Sequence, residues 1–248
     1  MSDGYALFDL DHTLLPYDTQ ALFCNFVLKK EGWRRVYLLW YLPLLPLAGL
    51  KILSLRFTKR LFFSYLFGMS RDRLDKYVAE FLKTDFDSSL YPEVVAELER
   101  NRAEGRTLIL NSASPEFYLG PIAKKLGFDF YLGTDMGIGK TVSFLPPISG
   151  PNNKQGAKID AMRERDLIPP DVDMLANSWA YSDSSADIPL LSVAEHGVMI
   201  HPGEKLASVG LEKGWRTLTP SRPYEGKWGA RMASLAQAFG FYSLPKPE

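Results

Sequence analysis

Short apolar runs alternate with helical stretches along most of this chain, and that alternation constrains the fold more than any other feature. Tyr5–Phe8 is the first run, closed by Asp9; a short apolar run ended by polar turn residues reads as a buried strand. A second, Thr107–Leu110, is β-prone and is broken by Ser112, Ala113, Ser114 and Pro115. Ahead of it lies a helical stretch, PEVVAELERNRAEG, with Pro92 near its start and Gly105 at its stop. Next come a helix in PEFYLGPIAKKLG, a strand in FDFYLG, and a Gly- and Pro-rich turn region from Gly133 to Gly150. A helix in NNKQGAKIDAMRER, a strand turning into a helix in WAYSDSSADIPLL, and a last strand in HGVMIHPG complete the series. Helices between short apolar strands predict a mostly parallel sheet covered on both faces, a doubly wound α/β fold.

Residues 15–90 break this rhythm. A strand–helix connection needs only a few residues, yet here a long, mostly helical interval separates Asp9 and Asp11 from the helix that leads into the second strand. It reads as an inserted helical cap, with the core formed by residues 1–14 and 91–205. Residues 206–248 are a C-terminal extension without a motif that can be placed, in which Ala230–Phe239 has the pattern of a short amphipathic helix. Within the cap, Val36–Leu50 holds no charged residue, has Arg34 and Arg35 before it and Lys51 after it, and contains Pro43 and Pro46. As one helix it would rise about 22 Å, short of the roughly 20 residues that span a bilayer, and the prolines would kink any extension. A second apolar run, LFFSYLFGM, covers residues 61–69. Two readings stay open: a buried cap helix, or an interfacial segment in which Trp33, Trp40, Tyr41 and the neighbouring cations meet anionic lipid through residues 36–69.

Composition excludes some classes. With 29 basic and 29 acidic residues among 248, no global field attracts nucleic acid, so no nucleic-acid partner is expected. The single Cys24 rules out an internal disulfide and fits a reducing compartment. The sequence MSDGYALFDLD has no basic segment followed by an apolar core, so no signal peptide is expected and the protein is placed in the cytoplasm, with the cytoplasmic face of a membrane within its reach if the cap is interfacial.

In open α/β sheets ligands bind beyond the carboxyl ends of the strands. The polar groups at such ends are Asp9 with Asp11, Ser112, Lys154 at a helix start, and Asp183 with Asp187. Carboxylates from separate strands can hold a hard cation such as Mg²⁺. A lysine, a serine and helix-start N–H groups can hold phosphoryl oxygens. One carboxylate can attack phosphorus while a neighbour moves protons.

The segments DLDHT (9–13), LILNSAS (108–114), NNK (152–154) and YSDSSADIPLL (181–191) together resemble the four motifs of the haloacid dehalogenase superfamily, in the subfamily with a helical cap between its first two motifs. The resemblance covers residues 4–205. It implies Asp9 as nucleophile, Asp11 as general acid/base with its carbonyl also on Mg²⁺, and Thr13 bracing the loop. It also implies Ser112 and Lys154 on the phosphoryl group, Asp183 completing the Mg²⁺ shell beside Asp9 and Asp11, and Asp187 behind it. Ser114 competes with Ser112 for its role, and Lys158 with Lys154, one helical turn away. His12 is expected to be a bystander. An acid at position 11, absent from the superfamily's dehalogenases, points to a phosphatase or phosphotransferase. Asp18 either caps the first cap helix or, as in the similar phosphoserine phosphatases, reaches the substrate. The stretch YLPLLPLAGLKIL…RF…YLFGMSRDRL resembles the cap of the phosphatidylglycerophosphatase C family and implies a lipid phosphomonoester as substrate. The alternative is a soluble phosphomonoester such as phosphoserine or histidinol phosphate.

Overall fold

The structure, a computed structural model, describes residues 4–149, 156–170 and 172–245. In chain order its elements are β1 (Tyr5–Phe8), α1 (Thr19–Lys30), α2 (Leu38–Tyr41), α3 (Leu45–Gly49), α4 (Leu55–Phe62), α5 (Arg71–Phe81), α6 (Pro92–Ala103) and β2 (Thr107–Pro115). There follow α7 (Glu116–Leu126), β3 (Phe130–Thr134), α8 (Ala157–Glu164), β4 (Leu175–Ser182), α9 (Ile188–Val193), β5 (Ala194–Ile200), α10 (Glu204–Lys213), β6 (Arg216–Leu218) and α11 (Gly226–Phe239).

Two compact units result. The first comprises Met1–Tyr17, Ser89–Thr134 and Asn153–Pro223. Among the described residues its strands form a six-stranded sheet in the order β3-β2-β1-β4-β5-β6, with every pairing parallel. The order reverses at β1, whose Leu7 faces Ile109 on one side and Ala180 on the other. That is the switch point at which doubly wound sheets bind ligands. Leu7, Ile109, Leu132, Met162, Leu190 and Met199 are buried in one cluster that packs helices onto the sheet. Phe8 stacks on Tyr181 with ring centroids 4.1 Å apart, locking β1 to β4.

Several expectations are corrected here. β2 does not stop at Leu110 but runs on to Pro115, with a register irregularity between Asn111 and Pro115. The polar residues that looked like breakers satisfy one another: Ser114 N–H donates to Ser112 Oγ (3.1 Å) and Thr134 Oγ1 to Ala113 O (2.7 Å). Nor are residues 206–248 a single extension. α10 lies across the end of β5, where Gly210 leaves room for Met199: a Cβ there would sit 2.2 Å from its sulfur. β6 pairs with β5 from Val198↔Arg216 to Ile200↔Leu218.

The second unit comprises Asp18–Ser88, Asp135–Asn152 and Tyr224–Glu248, so the cap recruits two segments that lie far from it in sequence. The stretch around Val142 is tied on by paired main-chain bonds, Gly68 N–H to Val142 O and Val142 N–H to Met69 O, each 2.9 Å. Arg60 adds bonds to Pro146 O and Leu145 O, and Arg56 one to Ile148 O. α11 packs on α1: Asn25 exchanges bonds with the main chain of Tyr242, both 3.1 Å. Gly240 ends α11 at φ 74°, where its bare Cα lets Leu28 approach.

Val36–Leu50 is not a buried helix. It breaks into short pieces, α2, a 3₁₀ turn at Leu42–Leu44 and α3, none of which buries a residue. Pro43 and Pro46 sit in the first turns of the last two, where a missing N–H is harmless but a continuous helix is interrupted. The run 61–69, grouped with it in sequence, goes the other way: Leu61, Phe63, Tyr65, Leu66 and Met69 are core. Among the described residues no helix is long and apolar enough to cross a membrane.

Candidate active site

β1 delivers Asp9 at its carboxyl end, and Asp9 N–H donates to Tyr181 O at 3.0 Å, continuing the pairing with β4 by one residue. The chain then turns tightly. Thr13 and Leu14 N–H both donate to Leu10 O, His12 N–H donates to Tyr17 O, and His12 takes φ 58°, a left-handed conformation held by Nδ1 at 3.1 Å from Pro16 O. This turn carries Asp11 and Thr13. Thr13 is fully buried, and its Oγ1 accepts the N–H of Asp183 at 3.1 Å, joining the loop after β1 to the loop after β4.

Lys158, on α8, is the centre of the site. Its Nζ lies 2.7 Å from Asp9 Oδ1 and 2.8 Å from Asp187 Oδ2, and it is 2% exposed. Asn111 of β2 holds α8 in place by donating from Nδ2 to Lys158 O at 3.0 Å. Asp187 also accepts from Ser182 Oγ at 2.8 Å. It stands at the start of α9 but gives that helix no capping bond, so its carboxylate serves the lysine. Lys154 lies outside the described residues. The lysine that the described residues place on Asp9 is Lys158, the alternative one turn along, carried by α8. Ser112 and Ser114 are both buried at the end of β2 and divide the work: Ser114 Oγ donates to Asp11 Oδ2 at 2.7 Å, and Ser112 Oγ accepts from Ser114 N–H. Asp18 belongs to the other unit, where its Oδ1 accepts from Gln20 N–H (2.8 Å) and Ala21 N–H (3.2 Å) and caps α1.

Electrostatics follow from this packing. Burial pushes Asp9 up from 3.8 to about 8; Lys158 pulls against it, and Asp187, Asp183 and Asp11 push further. Asp183 rises to about 6, again through burial first, with His12 opposing and Asp187 and Asp11 adding. Lys158 stays above its ordinary value because Asp9 and Asp187 outweigh its own burial. Four carboxylates thus share one lysine, a deficit of positive charge that a divalent cation would relieve. The donors are all hard oxygens. Among the described residues no three acidic, His or Cys side chains converge as a preformed cage.

Asn111 was not singled out in the sequence, although an amide at the end of an apolar strand is its signal; His12, expected to be a bystander, holds the left-handed turn of the loop.

A family model of haloacid dehalogenase-like hydrolases matches residues 6–192, more than half of the chain, and the chain belongs to that family. Among solved structures it is similar to a Bordetella pertussis protein of unknown function (24% identity, TM-score 0.72, 88% of this chain and 99% of that one). It is also similar to a phospho-aspartyl intermediate analogue of phosphoserine phosphatase (15%, TM-score 0.57, 90% and 95%). Curated relatives include an inhibition of morphological differentiation protein of Streptomyces azureus (29% identity, 63% of this chain, 55% of that one). Another is a probable phosphatase of Mycobacterium tuberculosis (30%, 54% and 45%). The chain spans about half the length of these curated relatives.

Proposed function

We propose that the chain is a Mg²⁺-dependent phosphomonoester hydrolase working through an aspartyl-phosphate on Asp9. The observation that carries this reading is the Lys158 bridge between Asp9 and Asp187 at the sheet's switch point, with Asp11 held alongside by Ser114. Lys158 keeps one oxygen of Asp9 engaged, which orients the carboxylate and leaves its second oxygen to attack phosphorus. Asp11, aimed by the Ser114 hydroxyl, gives the leaving alkoxide its proton and then takes one from the water that opens the acyl phosphate. Ser112 at the end of β2, with the neighbouring main-chain N–H groups, receives the phosphoryl oxygens, and Lys158 offsets their charge. Asp9, Asp183 and the main-chain carbonyl of Asp11 would hold Mg²⁺, which when bound supplies further neutralisation of the phosphoryl oxygens. The phosphatase activity named for the mycobacterial relative agrees with this reading.

For substrate we infer a lipid phosphomonoester such as phosphatidylglycerophosphate. Its support is the cap: none of its α2, 3₁₀ or α3 residues is buried, and while Trp40 and Tyr41 pack inward on Phe144 and Phe62, Leu39, Leu42 and Leu50 stand exposed and fit contact with acyl chains. Turnover of phosphatidylglycerophosphate in mixed micelles, phosphoserine, histidinol phosphate and p-nitrophenyl phosphate, each with Mg²⁺ and with EDTA, tests both parts. Hydrolysis is expected only with Mg²⁺, with the highest kcat/KM on the lipid. A preference for phosphoserine would overturn the substrate, and undiminished activity in EDTA would overturn the metal.

A further inference from the structure

α11 is built inside out for a surface helix. Its buried residues, Ala233 and Gln237, face α1. At 100° per residue, Trp228, Met232 and Leu235 lie on the opposite side, spaced i, i+4 and i+7. They form an apolar stripe pointing into solvent, with Trp228 75% and Met232 59% exposed. Arg231 flanks the stripe, its guanidinium 5.6 Å from the Trp228 ring. A helix that is apolar on the face away from its own core has that face reserved for something else.

The carboxyl end of α11 is tied to the cap segment of the same unit. Arg35 stacks on Phe241, itself exposed, at 4.6 Å, and donates to Phe239 O (2.8 Å) and Gly240 O (3.0 Å) at the carboxyl end of α11. Next to Arg35 stand the exposed Trp33 and Val36, and beyond them Leu39 (73%), Leu50, Ile52 and Leu55 (74%).

Charge identifies the occupant. Although the whole chain is neutral, no Asp or Glu occurs between Gly32 and Phe67 or between Gly226 and Pro245, while the first stretch holds Arg34, Arg35, Lys51, Arg56, Lys59 and Arg60. Arg34 is neutralised by Glu31 at 2.8 Å. Arg35, Arg56 and Arg60 bond main-chain carbonyls, which leave their positive charge in place. Leucines, tryptophans and phenylalanines mixed with cations, and free of acids, match the boundary of an anionic bilayer. A second protein would more often ask for a stripe rimmed by both signs of charge.

We propose that α11 and the cap segment from Trp33 to Leu55 form one docking face by which this unit lies on an anionic lipid surface. The proposal deepens the lipid-phosphate reading and rests on it for the choice of a membrane as partner. α11 then acts as a second lipid contact, which lies on the surface and does not enter it as a span.

Co-sedimentation with vesicles of phosphatidylcholine alone and of phosphatidylcholine with phosphatidylglycerol tests it on the full chain. The wild type is expected to pellet with the anionic vesicles only, and less so as salt rises. The triple variant Trp228→Ala, Met232→Ser, Leu235→Ser is expected to bind at least tenfold more weakly while hydrolysing p-nitrophenyl phosphate at the wild-type rate. Should the triple variant melt early, Arg231→Glu, which changes a single exposed side chain, is expected to weaken anionic-vesicle binding several-fold. A wild type active on p-nitrophenyl phosphate that stays in the supernatant overturns the docking face alone. So does a variant set that binds as well as wild type, or a wild-type dimer that the triple variant dissociates, which would assign the stripe to a second copy. Loss of all phosphatase activity in the wild type with vesicle binding intact would instead strike the hydrolase reading.

Discussion

The two units use polar and apolar groups in opposite ways. In the sheet unit the charges are inside: Asp9, Lys158 and Asp187 are almost fully buried, and Lys158 donates to both carboxylates at 2.7 and 2.8 Å. Its β1 and β2 are almost wholly buried. In the cap unit leucines and tryptophans stand outside, and arginines turn inward to cap carbonyls, as Arg34 does for Tyr65 and Phe67 and Arg60 does for Leu145 and Pro146. Each inversion costs stability by ordinary rules of burial, so each marks a place where function sets the sequence. In the sheet unit it marks the proposed chemistry, and in the cap the proposed docking face.

Four experiments test this contrast. The largest effect is expected from Asp9→Asn, which removes the nucleophile while keeping its shape. Turnover of p-nitrophenyl phosphate should fall by roughly 10⁴-fold or more, and a rate near wild type would remove the sheet unit's charges from the chemistry. Lys158→Met should lower turnover by roughly 10²–10³-fold and destabilise the fold by about 3 kcal/mol, because two buried carboxylates lose their partner. Lys154→Met should leave turnover near wild type, and the reverse order for the two lysines in the same assay would return the role to Lys154.

The third is pH. Asp9 is raised from 3.8 to about 8 and Asp183 to about 6, so between those values the folded protein holds protons that the unfolded chain has released. Their contribution is fully present below pH 4 and is lost as pH rises through 6 and then 8, with a slope of at most about 1.4 kcal/mol per unit for each group. In EDTA, Tm of the wild type should therefore fall more steeply from pH 5 to pH 8 than Tm of Asp9→Asn. Mg²⁺ should flatten the wild-type curve, and equal slopes for the two proteins would contradict the raised carboxylate. The smallest effect belongs to the cap: Asp18→Ala should cost about 1 kcal/mol of stability through loss of the α1 cap, with kcat/KM on p-nitrophenyl phosphate within a factor of two. A large loss of activity with little loss of stability would assign Asp18 to the substrate.

The contrast also explains what could be read ahead of the structure. β1, Asp9 and Asp11 were legible because an apolar run ended by acids is a local pattern, and the parallel sheet was legible from its alternating period. The sequence motif favours Lys154 over Lys158, and that Lys158 reaches Asp9 is a tertiary fact which the spacing of two lysines one turn apart does not carry. Ser112 and Ser114 looked like strand breakers because hydroxyls compete for main-chain bonds, and here those bonds fall within the strand and on Asp11. The recruitment of residues 135–149 to the cap rests on main-chain pairing around Val142 and on arginine-to-carbonyl bonds, which leave no pattern in the sequence. α11 was seen as amphipathic, but the direction of its stripe was not, since a second apolar face looks in sequence like more core.

The central claim is that Asp9 carries the phosphoryl group, and acid quench during turnover of p-nitrophenyl phosphate with Mg²⁺, followed by peptide mass mapping, tests it most directly. One added phosphoryl group is expected on the peptide containing Asp9, absent from Asp9→Asn and lost on treatment with hydroxylamine. Phosphorylation mapped to any other residue, or persisting in Asp9→Asn, would contradict it.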